Sequence, residues 1–145
     1  MERTFIAEND AEREHLRKLV QALSDSDLAG NIGHGWTAGI ALAHLAFWDR
    51  LWLAKMEEFE RVQEVKLPKL DPNPLNDGML VWWQNIAPVQ LRYEVVAAAE
   101  AIDKKVASLP DWIIEPILAT RPRTLIRAAH RREHLGEIEA ALAEK

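Results

Sequence analysis

The sequence has 145 residues, 48% hydrophobic and 28% charged, which is the ordinary balance of a globular chain and fits a single domain over residues 1–145. Its net charge of −5 at pH 7 argues against a general nucleic-acid or anionic-membrane surface. The absence of cysteine excludes disulfides, thiolate metal ligands and a cysteine nucleophile, so any thiol chemistry must use a thiol brought by a substrate.

In chain order, apolar positions recur with helical spacing from about Glu8 to Leu23, and Ser24 to Asp27 breaks the pattern. A glycine-rich loop over Gly30 to Gly35 follows. Thr37 is a good N-cap for a long second helix from Ala38 to about Gln63. On that helix Ile40, Ala41, His44, Leu45, Phe47, Trp48, Leu51 and Trp52 share one broad face, with Asp49 and Arg50 leaving it on either side. Prolines mark a connection from about Glu64 to Pro74, after which Asn76 to Ile86 reads as a short helix. Pro88 opens a third long helix ending near Ser108, and its Ala97-Ala98-Ala99 run permits close packing. Residues 111–121 read as irregular, with Trp112, Ile113 and Ile114 as a buried patch. The last helix spans about Pro122 to Ala143, and no segment alternates as a strand does.

These segments predict an all-α fold, a four-helix bundle. The connection between its second and third long helices is long enough to run the length of a helix, so the two are expected to be parallel, joined by a crossover. No apolar run is long enough for a membrane span, and the N-terminal residues do not form an apolar signal core, so the expected location is cytoplasmic.

The last helix carries His130-Arg131-Arg132-Glu133-His134. An i, i+4 pair puts both imidazoles on one face, a turn apart, where two nitrogens can reach one ion. His44, on the apolar face of another helix, would supply a third ligand and leave a position open, as in a catalytic site. Glu133 and Glu137, each three residues after a histidine, are candidates to accept a hydrogen bond from a ligand's distal nitrogen. Arg123 and Arg127 are candidates to hold an anionic group, although the preferred reading of these arginines is a solvated face with ordinary helical ion pairs. The same residues fit the H-x-x-E-H pattern of inverted zincin peptidases, a short pattern disfavoured here because such sites need a third, glutamate ligand and a longer chain.

Gly35-Trp36-Thr37, the block Ala43-His44-Leu45-Ala46-Phe47-Trp48-Asp49, and His130 to His134 with Leu135-Gly136-Glu137-Ile138 carry a resemblance. In them the chain resembles the DinB-like superfamily, which includes bacillithiol transferases and mycothiol-dependent maleylpyruvate isomerases. The resemblance implies an up-down-down-up bundle, His44, His130 and His134 as ligands of a divalent metal such as nickel or zinc, and homodimers. It also implies, for some members, transfer of a low-molecular-weight thiol to a small-molecule electrophile. Gly136 in this block costs the last helix about 1 kcal/mol relative to alanine, which close approach of a neighbouring helix would explain.

Of the remaining residues, Trp48 shares the face of His44 and is a candidate pocket wall, while neither His15, on the polar part of the first helix, nor His34, in the glycine-rich loop, is expected to be a ligand, a pocket mouth being the less favoured reading for His34. Trp82 and Trp83 are adjacent and cannot both face inward. Two functions follow: a metal-dependent enzyme acting on a small electrophile, or a non-catalytic ligand-binding or dimeric stress-response protein with a vestigial site.

Overall fold

The computed structural model describes all 145 residues and is almost entirely helical. Four long helices, α1 (Phe5–Ala22), α3 (Ala38–Val62), α5 (Pro88–Ser108) and α7 (Arg127–Ala143), form the bundle. Three short ones, α2 (Asp25–Leu28), α4 (Pro72–Trp83) and α6 (Asp111–Thr120), lie in its connections. The principal helix contacts are α3 on α5, α1 on α7 and α5, and α3 on α7.

Cross-helix pairs give the directions. Arg50 meets Glu94 and Lys105 meets Glu60, so α3 and α5 run parallel. Arg13 meets Asp103 while Arg92 reaches Leu23, so α1 opposes α5. Asn9 meets Ala128 and His15 meets Glu139, so α1 and α7 run together. The order is up-down-down-up, with α4 carried on the expected crossover.

The helix starts have local causes. Thr37 caps α3 by accepting the Ile40 N–H at 3.1 Å. Asp71 caps α4 through Asn73 N–H at 3.0 Å, with Pro72 in the first turn, so this helix begins earlier than expected. The last helix begins at Arg127 and not at Pro122, which opens a 3-10 turn, Pro122–Thr124. No side chain of the segment itself caps α7. Asn9 of α1 does so from outside, accepting Ala128 N–H at 2.8 Å and donating to the Leu125 carbonyl at 2.9 Å.

Three further expectations are corrected. Residues Asp111–Thr120 are helical despite Pro116, because Ile113, Ile114 and Ile117 share one fully buried face. Trp112 lies off that face and is 42% exposed. A small antiparallel pairing of β1 (Asn31–Gly33) and β2 (Trp36–Thr37) sits in the glycine-rich loop, too short to show any alternation. Its turn has positive φ at three successive residues, Gly33, His34 and Gly35, which the two glycines permit at little cost while His34 takes the left-handed region as a non-glycine residue. Finally, a Cβ on Gly136 would meet nothing within 4 Å, so no neighbouring helix approaches it closely.

The apolar core falls into two clusters. One joins Leu16, Leu42, Leu45, Val95, Ala98, Ala99, Leu135 and Ile138 from all four long helices. The other is built on Trp52, Met56, Phe59, Ile102, Val106 and the α6 isoleucines. Between them lies a buried polar layer of Asn9, Asp49, Asp103, Arg127 and Arg131. Arg131 is fully buried and forks onto Asp103 through two contacts of 2.8 Å. Burial opposes its charge, but Asp49 and Asp103 outweigh that and hold its pKa above the usual value.

Candidate metal centre

His44, His130 and His134 come together at one edge of this layer. Their ring centroids form a nearly even triangle with sides of 4.8, 4.7 and 4.9 Å. The α3 face and the i, i+4 spacing on α7 deliver them as the sequence predicts. His44 and His134 are buried and His130 half-buried. Nε2 of His44 lies 2.9 Å from Nε2 of His130.

Each distal nitrogen faces a second group. Nδ1 of His44 is 3.2 Å from Oδ1 of Asn76, the oxygen that also accepts the Trp48 indole N–H at 2.9 Å. Nδ1 of His130 takes a long contact of 3.5 Å from the Arg127 guanidinium. Nδ1 of His134 lies 2.8 Å from Oε1 of Glu137 but off the line of a hydrogen bond, which leaves it buried without a partner. Glu137 also meets His34 at 2.8 Å through its other oxygen. His34 thus lines the cavity, the less favoured of its two expected places, and the Trp36 ring lies tilted against His44 with centroids 4.8 Å apart.

These contacts set proton positions. Arginine only donates, so Nδ1 of His130 accepts and Nε2 carries the proton. That proton is shared toward His44, whose own Nδ1–H donates to Asn76. Burial, followed by the charge of neighbouring His134, pushes His44 down to about 4. Burial likewise lowers His130 and His134, with nearby Arg127 adding to the effect on His130. All three imidazoles are therefore neutral at pH 7, the form that ligates metals. The donor set fits a divalent ion once the His130 proton moves from Nε2 to Nδ1: three converging neutral imidazoles and one orphaned distal nitrogen.

The other expected residues fall differently. Trp48 is 7% exposed and lines the cavity beside His44. Glu133 is exposed and pairs with Arg123 at 3.0 Å, and its carboxylate lies within 4.8 Å of ligand atoms of His134 and Glu137 in the cavity lining. The surface reading holds for Arg123. It fails for Arg127, which is 3% exposed and donates to Asp49 at 2.9 Å. Asp49 has left its expected place flanking the helix face for the polar layer, because the two buried arginines of α7 demand a counter-charge there. Trp83 is buried against His44 and Trp82 is 71% exposed, as adjacent helical positions require. The third residue of the cluster is His44, not the glutamate a peptidase of the H-x-x-E-H type would need.

Asn76 and the buried Asp49–Arg127 pair were not found from sequence. The only available signal was a polar residue opposite the histidine face.

The histidines open into a cavity of about 1090 Å³ that also reaches Trp52, Leu70, Arg121 and Arg123. No helix is long and apolar enough to cross a membrane. Among known proteins, no curated protein and no solved structure gives a match. Residues 1–133 do match the family described as DinB, ending one residue before His134.

Proposed function

The chain belongs to the DinB family, and from that premise we propose that it is a metal-dependent enzyme acting on a small electrophile, with His44, His130 and His134 as ligands of nickel or zinc. The observation that carries the reading is the convergence of three neutral imidazoles from two helices beside a large cavity. When bound, a divalent ion supplies Lewis acidity that brings the pKa of a water or thiol toward neutrality.

The protein's own groups do the rest. Asn76 accepts from Nδ1 of His44 and leaves its Nε2 free to ligate, whereas the contact of Arg127, itself held by Asp49, with Nδ1 of His130 would have to open for Nε2 of that ring to ligate. Glu137 bridges His134 and the exposed His34 with its two oxygens and so ties the cavity mouth to the histidine cluster. Trp48 closes the apolar side and excludes water there. With no cysteine in the chain, a thiol nucleophile would be a low-molecular-weight cosubstrate. A cytoplasmic homodimer completes the proposal.

A second reading has its own observation. The chain of contacts from Arg127 through His130 and His44 to Asn76 is closed without an ion. That arrangement suits a non-catalytic ligand-binding protein with a vestigial site. Metal content of tag-free protein, beside His44→Ala and His130→Ala, separates the two. Near-stoichiometric metal lost in both variants supports the enzyme. Little metal in the wild type, even after loading with nickel or zinc, supports the second reading.

A further inference from the structure

Three guanidiniums line the cavity with the histidines: Arg121, Arg123 and Arg127. Two of them are already neutralised. Arg127 donates its Nε to Asp49 at 2.9 Å and an amino group to the Arg123 carbonyl at 3.3 Å. Arg123 is paired with Glu133 at 3.0 Å.

Arg121 has no carboxylate partner. It is nevertheless fixed, because one amino group donates to the Pro68 carbonyl at 2.7 Å and its guanidinium carbon lies 5.5 Å from the centre of the Trp52 ring. Neither contact cancels its charge, and its remaining N–H donors have no protein acceptor. The lining therefore holds a pre-positioned planar fork with one uncompensated positive charge.

The surroundings define what such a fork accepts. Half-buried Leu70 and exposed Pro72 line the same cavity beside Arg121 and offer apolar surface, while Trp52, 6% exposed, backs the guanidinium. Glu133 and Glu137, also in the lining, oppose a second negative charge on the ligand. One free fork matches a carboxylate, whereas a phosphate dianion calls for more than a single unpaired cation.

We propose that Arg121, backed by Trp52, binds the carboxylate of a small monocarboxylate whose planar apolar body rests against Leu70 and Pro72, making it the residue that selects the substrate class. This deepens the reading of the cavity as a substrate site and rests on that reading, but not on the presence of a metal.

The test uses benzoate as probe and benzamide as its uncharged counterpart, titrated into the full chain and read by tryptophan fluorescence and by the indole N–H shift of Trp52. Benzoate should saturate in the low millimolar range, with benzamide weaker by about tenfold or more. Arg121→Gln should weaken benzoate by about tenfold or more and bring it level with benzamide. Arg121→Lys, which keeps the charge and loses the fork, should fall between, and metal content should be unchanged in both variants. The proposal is overturned if benzoate does not saturate, if benzamide binds as well, if Arg121→Gln binds as the wild type does, or if only Arg123→Gln abolishes binding. A wild type that binds benzoate through Arg121 and takes up no metal would refute the metal reading while leaving this one intact.

Discussion

Asp49→Asn is the most informative single change, since Asp49 serves both the bundle and the site. Its carboxylate takes Arg127 at 2.9 Å and Arg131 at 3.4 Å, and all three side chains are at least 96% buried, with side-chain exposures of 3%, 4% and 1%. In the buried layer two arginines face two aspartates, Asp49 and Asp103. Asparagine keeps the shape and removes one negative charge, leaving a net buried positive charge. Breaking such a pair costs about 3–5 kcal/mol. For a chain of this size that is a fall in Tm of about 6–20 °C.

The companion variant is Asp103→Asn, which strips Arg131 and Arg13 of a partner but does not touch Arg127. Both variants should be destabilised in urea unfolding. Only Asp49→Asn should also change nickel or zinc affinity, by about tenfold or more, because it loosens the arginine whose N–H faces Nδ1 of His130. An Asp49→Asn protein within about 1 kcal/mol of wild type would refute the charge-balance argument. Equal metal affinities in the two variants would refute the coupling to the site.

Asn9→Ala removes the only side-chain cap of α7 and should cost about 2 kcal/mol, with hydrogen exchange accelerated first at the Ala128 amide. Gly136→Ala should add about 1 kcal/mol of stability, since the methyl group meets nothing and the helix gains in propensity; an unchanged or lower Tm would contradict the open surface seen there. Chelator-treated protein should lose stability in acid. His44 sits near 4 in the fold against an ordinary 6.5, so the unfolded chain binds its proton first and stability falls as pH drops from 6.5 through 4. At about 1.4 kcal/mol per pH unit this amounts to about 3 kcal/mol, and a denaturant midpoint flat over that interval would exclude it.

The sequence by itself determined the helical class, the N-cap at Thr37 and the inward placement of His44, His130 and His134. These rest on local geometry: a 3.6-residue period fixes which side chains share a face, and i, i+4 spacing brings two imidazoles together whatever else the chain does. The crossover length made a parallel second and third helix legible as well, because the reach of a chain segment is a local property too.

Only the tertiary structure decided the rest. Whether Arg127 is a surface charge or a buried partner of Asp49 depends on two helices 78 residues apart in sequence. The cap of α7 comes from Asn9, 119 positions before the amide it accepts. Asn76 acquires its place from the packing of α4 on the crossover, and Arg121 from the end of α6, and neither contact is written in a local period. Burial of a polar group is settled by the partner that folding brings to it, and the residue's own pattern carries no record of that partner.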